Sequence, residues 1–200
     1  MAKATPIDSG KVVFTGLKYM YITPWEEQED GTNVLSSSTY EIVNIVGDTT
    51  SLEQEDNETT AIEHEFSNTP LYEAVTLGSR TFTAECADYQ KDVLVNLFGW
   101  ETQDEVVYAP SGYKTFFAAI ELGFNSTDQV VVLPKVRLDS KVTLASMKTD
   151  IGRATITGTA YQAYAKVGTG EVFKTDMFIT KESIGDDTAG YKLSESESIA

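Results

Sequence analysis

The sequence predicts an all-β protein, a β-barrel or β-sandwich with one flanking α-helix at about residues 88–98. Three observations carry this. Val, Ile, Thr, Tyr and Phe recur in short alternating runs, the composition that a pleated, half-buried surface selects. Turn formers close most of these runs. Helical spacing of apolar residues is convincing in one place, DYQKDVLVNLFG at 88–99.

In order along the chain, KVVFTG (11–16) and LKYMYITP (17–24) read as strands stopped by turn formers. WEEQEDGTNVLSSST, about 25–39, is acidic and rich in Gly and Ser, and reads as a long exposed loop of the kind that is usually functional. TYEIVNIV is the next strand and GDTT a turn. In LEQEDNETTAIEHEF (52–66), Ile62, His64 and Phe66 share one strand face and Glu63 and Glu65 the other, so the apolar face is expected in the core. LYEAVTL and RTFTAECA, separated by Gly78 and Ser79, are expected to pair as a hairpin. The second of these puts Phe82, Ala84 and Cys86 on one side and Thr81, Thr83 and Glu85 on the other.

The helix takes Asp88 as N-cap, sets Tyr89, Val93, Leu94, Leu97 and Phe98 on one stripe, and stops at Gly99. EVVYAP, YKTFFAAIELGF, QVVVLPKVRLD, KVTLASMKT, RATITGTAYQAYAKV and EVFKTDMFIT continue as strands. Several are apolar on both faces, which places them inside a closed barrel or a sandwich rather than at an edge. DDTAGYKLSESESIA lacks periodicity, so about 185–200 is expected to be a flexible tail until a partner orders it. With no repeat and no linker, residues 1–200 read as a single domain.

Of the 200 residues, 41% are hydrophobic, enough for a sizeable core. The opening MAKATPIDSGKVV has no apolar stretch of secretory type, and no later run reaches membrane-spanning length, so a soluble protein made in a cytoplasm is expected, with no membrane partner. Fifteen basic and 31 acidic residues give a formal net charge of −16, which argues against gripping nucleic-acid phosphates. The charge is unevenly spread. Twelve carboxylates and no Lys or Arg fall between Pro24 and Glu65, whereas eight basic and four acidic residues fall between Pro134 and Lys181.

Catalytic chemistry finds little to work with. His64 is the single histidine and Cys86 the single cysteine, and Cys86 sits on an apolar strand face, where a thiol is normally buried and inert. Glu63 and Glu65 share a face but match no calcium-loop spacing. GTG at 168–170 joins two strands and lacks a phosphate-cradling pattern. No enzyme, metal or cofactor is expected; shape and charge remain.

The block SLEQEDNETTAIEHEFSNTPLYEAVTLGSRTFTAECADYQKDVLVNLFG (51–99) resembles bacteriophage tail tube, or major tail, proteins: an acidic strand, a polar turn with Pro, a strand pair, and an acidic residue opening a single helix that ends in Leu-Phe-Gly. LPKVRLDSKVTLASMKTDIGRATITGTAYQAY (133–164) is similar to the closing strands of that family, which is related to the inner-tube proteins of contractile tails and of type VI secretion. The resemblance implies a structural virion protein of the tail, assembled in the host cytoplasm. Its partners are copies of itself, closing homohexameric rings that stack head to tail, and other tail proteins, with genomic DNA passing through the lumen unbound.

Head-to-tail stacking needs two different, complementary surfaces. Trp25, Glu26, Glu27, Glu29 and Asp30 on the acidic side and Lys135, Arg137, Lys141 and Arg153 on the basic side are therefore candidate inter-subunit contacts. A DNA conduit needs a wall that repels phosphate, which acts over about 8 Å at physiological salt. Glu63 and Glu65, then Glu53 and Glu55, are the candidate lumen-facing residues. The residues alone leave open a ligand-binding β-barrel and a β-sandwich decoration or adhesion module.

Overall fold

Alternating β-formers dictate a strand-rich chain, and the computed structural model describes residues 14–42, 45–64, 67–87, 91–109, 116–143, 153–184 and 190–199 of it. The elements in chain order are β1 (Leu17–Glu27), β2 (Asn33–Leu35), β3 (Tyr40–Ile42), β4 (Ser51–Gln54), β5 (Glu58–His64), β6 (Ser67–Thr76), β7 (Arg80–Cys86), α1 (Lys91–Phe98), β8 (Glu101–Gln103), β9 (Val106–Tyr108), β10 (Phe116–Phe124), β11 (Val130–Thr143), β12 (Arg153–Tyr161), β13 (Ala163–Val167), β14 (Phe173–Thr175), β15 (Phe178–Thr180) and β16 (Tyr191–Ser194). The fold is mainly β and its sheets are antiparallel; among the described residues α1 is the single helix and no ladder closes into a barrel. The residues group into two compact units, 1–43 with 118–135 and 162–200, and 44–117 with 136–161.

In the first unit β1 runs antiparallel to β10, with Met20 opposite Leu122 and Ile22 opposite Ile120, and its other edge pairs with β3 and β2. Met20, Ile22, Ile42 and Ile120 are fully buried. Burying each such side chain contributes on the order of 1.5–3 kcal/mol, so this strip is a main source of the unit's stability. At Gly123 a Cβ would come within 2.3 Å of the Tyr19 ring, so only glycine lets that ring lie across the strand.

Residues 25–39 are not the long loop that their charge suggested. Trp25 pairs with Leu35, Glu26 with Val34 and Glu27 with Asn33, and the tight turn between them uses Gly31 at φ 78 and a Gln28 N–H to Thr32 carbonyl bond of 2.7 Å. The carboxylates stand where water solvates them, while Trp25 anchors the hairpin at 8% exposure. The expected flexible tail is corrected too: β16 pairs with β13, which also pairs with β14, and Tyr191 is buried.

In the second unit β12 lies beside β7, and β7 beside β4. Phe82, Ala84 and Cys86 point to one side as expected, each fully buried, opposite Gly158, Ile156 and Ala154. A Cβ on Gly158 would stand 2.3 Å from Val136 Cγ1, so a side chain at this position would crowd Val136. Helix α1 ends as expected, with Gly99 at φ 67 and the Trp100 N–H bonded to the Leu94 carbonyl at 3.1 Å. Its expected cap, Asp88, lies outside the described residues.

The expected hairpin between LYEAVTL and RTFTAECA does not form. Strand β6 pairs with β5 instead, and β7 with β4. Gly78 and Ser79 are no turn; they pass alongside Glu55–Asn57, with Glu55 N–H bonded to Ser79 carbonyl at 2.9 Å and Gly78 N–H to Asn57 Oδ1 at 3.0 Å. A Cβ at Gly78 would sit 1.9 Å from the Glu55 carbonyl oxygen, a contact that only glycine permits.

Candidate assembly surface and the buried carboxylate

The β5–β6 ribbon is where the acidic stretch lands. β5 pairs with no strand but β6 among the described residues, with Thr59 opposite Val75, Thr60 opposite Ala74 and Ile62 opposite Tyr72. Consecutive residues Thr59–Ile62 are all exposed, so both faces of the ribbon meet solvent. Ile62 is 56% exposed, Tyr72 61%, Val75 59% and Leu77 71%, which corrects the expectation that Ile62 faces the core. Among the described residues no second layer covers Ile62. Ile62 and Tyr72 share one face and Val75 lies on the other, so exposed apolar side chains stand on both sides of a two-stranded ribbon, an element that is marginal in water by itself.

At the base of the ribbon Glu53, Glu55, Asp56 and Glu58 are exposed. Glu55 Oε2 accepts a bond from Ser79 Oγ at 2.6 Å. The backbone of Glu63 pairs with Pro70 between two register shifts, the side chains of Glu63 and His64 lie outside the description, and so do Glu65 and Phe66.

The candidate contact residues scatter into local roles. Glu26, Glu27, Glu29 and Asp30 line the exposed end of the β1–β2 hairpin; Glu26 accepts from Ser36 Oγ at 2.5 Å. Bonds from the Thr32 hydroxyl and N–H hold the Asp30 carboxyl below its usual range. Trp25 is buried beneath Lys135, whose Nζ lies 5.8 Å from the indole centroid and bonds Glu195, and the indole Nε1 finds no acceptor among the described residues. In the second unit Arg137 lies 3.8 Å from Asp139 and over the Tyr161 ring, and Arg153 bonds Glu85 at 2.7 Å. The side chain of Lys141 is outside the description. Among the described residues no three His, Cys, Asp or Glu side chains gather to hold a metal, and Cys86 is a buried thiol.

Sequence reasoning passed over Glu121, the most constrained charge in the first unit. It is 1% exposed. Its Oε1 accepts bonds from Ser183 Oγ at 2.6 Å and Tyr19 hydroxyl at 3.2 Å, and its Oε2 from Ile184 N–H and Tyr191 hydroxyl, both at 2.7 Å. These donors saturate the carboxylate without a cation among them, which is how a buried anion is tolerated. Burial, reinforced by the nearby Glu121 anion, raises the Tyr19 hydroxyl to about 12 and pushes Tyr191 up as well. Residues 183–184 and β16 are thereby fastened to β10. The signal was legible: Glu121 is the lone acid in FFAAIELGF.

No protein-family model matches the chain, and no curated protein matches it. Among solved structures it is similar to a chain of the six-fold symmetrised cryo-EM structure of the anti-feeding prophage (AFP) baseplate, at 8% sequence identity and a TM-score of 0.41, over 86% of this chain and 97% of that one.

Proposed function

We propose that the chain is a structural, non-enzymatic subunit of a bacteriophage tail tube, in which hexameric rings stack head to tail around a negatively lined conduit for DNA ejection. The observation that carries the reading is the β5–β6 ribbon: Ile62, Tyr72, Val75 and Leu77 stand in solvent on a two-stranded element that a partner must cover. The resemblance of residues 51–99 to tail tube proteins supplies the kind of partner, further copies of this chain. The carboxylates Glu53 and Glu55, exposed beside the ribbon, supply the repulsion that a conduit requires.

Negative-stain imaging of the purified chain tests the reading. Rings or tubes with an open lumen are expected, and the double variant E53K/E55K is expected to keep assembly while slowing DNA ejection in reconstituted tails. A chain that stays monomeric at high concentration and with a tail extract as nucleus overturns the assignment.

A further inference from the structure

The tip of the β1–β2 hairpin holds a chemically labile pair in a fixed geometry. Gln28, Glu29, Asp30 and Gly31 form a tight turn closed by the Gly31 N–H to Gln28 carbonyl bond at 2.9 Å. Gly31 completes it at φ 78, which glycine adopts without strain. Of the 14 glycines it alone follows an Asp or Asn, so the residue that the turn demands also makes Asp30 vulnerable. Asp30 and Gly31 are both exposed, and a Cβ added to Gly31 would meet nothing within 4 Å, so no neighbour shields the pair.

The labile step is an isomerisation. The Gly31 nitrogen gives its proton to water and bonds to Cγ of the protonated Asp30 carboxyl; the carboxyl hydroxyl leaves, taking up a proton as water, and a five-membered succinimide closes. Water then reopens the ring at the Asp30 main-chain carbonyl carbon. The peptide link now runs through Cγ, and the former main-chain carbonyl is a free carboxylate. One water is lost and one regained, and nothing is oxidised or reduced. The native turn opposes the first step in two ways. The Gly31 N–H is engaged by the Gln28 carbonyl. The Thr32 N–H and hydroxyl both bond Asp30 Oδ1, at 2.9 and 2.7 Å, which turns the carboxyl toward residue 32. These two bonds also hold the carboxyl below its usual range, and an ionised carboxylate has no hydroxyl to lose.

We propose that Asp30 is the site at which this chain forms isoaspartate, and that the Thr32 hydroxyl is the clasp that restrains it. The site belongs to the chain's own hairpin and stands whether or not the chain assembles. Isomerisation adds a carbon to the main chain of a turn held by bonds of 2.7 and 2.9 Å between Gln28 and residues 31–32. The modified tip therefore loses that closure, and altered copies accumulate with age each time the clasp opens.

The test is incubation of the full chain at neutral pH, with isoaspartate counted by enzymatic methyl transfer and located by peptide mass spectrometry. The signal is expected at residue 30 and is lost in Asp30→Glu, whose longer side chain would have to close a six-membered ring. Thr32→Val keeps the backbone N–H and the side-chain shape but removes the hydroxyl; with folding checked by circular dichroism, it is expected to convert about fivefold faster than the wild type, the effect of one surface hydrogen bond. In urea, where the clasp is gone, both chains are expected to convert at one common rate, faster than the native wild type. Isoaspartate formed chiefly at another residue overturns the site. Equal native rates in the wild type and Thr32→Val overturn the clasp, as does a native wild type that converts as fast as the unfolded chain. A difference between the two chains that persists in urea belongs to local sequence rather than to the folded turn, and overturns it too.

Discussion

Strands β5 and β7 read alike and end differently. ETTAIEH and RTFTAEC both alternate at period two, yet β7 buries Phe82, Ala84 and Cys86 completely while β5 leaves Thr59–Ile62 in solvent. Neighbours make the difference. Strand β7 is flanked by β4 and β12, and the β12 glycine at 158 lets Val136 pack directly against that strand. Strand β5 has β6 and nothing further among the described residues. Alternation therefore tells which side chains share a face; whether that face is covered is decided by segments far away in sequence.

The contrast can be broken or sharpened by substitution. Phe82→Ala is expected to remove about 3–5 kcal/mol of stability in urea unfolding, because it opens a cavity in a closed core. Its counterpart, Ile62→Ala, is expected to stay within about 0.5 kcal/mol in the monomer. Comparable losses at the two positions would mean that the ribbon face is covered after all.

The next largest effect is expected at Glu121. Gln in its place keeps an oxygen for the Ile184 N–H and the Tyr191 hydroxyl but turns its N–H₂ toward the Ser183 and Tyr19 hydroxyls, which must rotate to accept, so charge-assisted bonds become neutral ones at a cost of about 1–3 kcal/mol. The same network sets an alkaline limit. Tyr19 holds its proton to about 12 in the fold and to about the ordinary 10 when unfolded. Its contribution is whole below pH 10 and is lost as pH rises toward 12. Glu121→Gln, by removing the neighbouring anion, is expected to lower the pH at which phenolate absorbance appears; an unshifted titration would detach the tyrosine from the carboxylate. Gly158→Ala is the finer probe, expected to cost about 1–3 kcal/mol by overpacking against Val136. A neutral result there would show that the β7–β12 core is looser than its geometry.

The mainly β fold, the faces of β7 and the glycine stop of α1 were legible because each is a local pattern of side-chain size and polarity. The β1–β2 hairpin was not. Its acidic turn made 25–39 look unstructured, while Trp25, buried on its first strand, is a single apolar side chain beneath Lys135, which is far away in sequence. The partner of β6 was missed for a similar reason: Gly78-Ser79 has the composition of a turn but serves as a close crossing against Glu55. The two units left no linker to read, since each gathers separate stretches of chain. The sheet of β13, β14 and β16 was not legible either, because residues 191–194 lie in a stretch without periodicity and join it only through pairing with β13.

The donors around Glu121 also impose an order in time. Tyr19 is made before it, but Ser183, Ile184 and Tyr191 follow it by 62, 63 and 70 residues. At ribosomal speeds of about 5–20 residues per second, that is a delay of roughly 3 to 14 seconds. Throughout it, the carboxylate keeps its water and β10 cannot dry. The first unit thus completes the hydrogen-bond network of its core only after residue 191 has been synthesised.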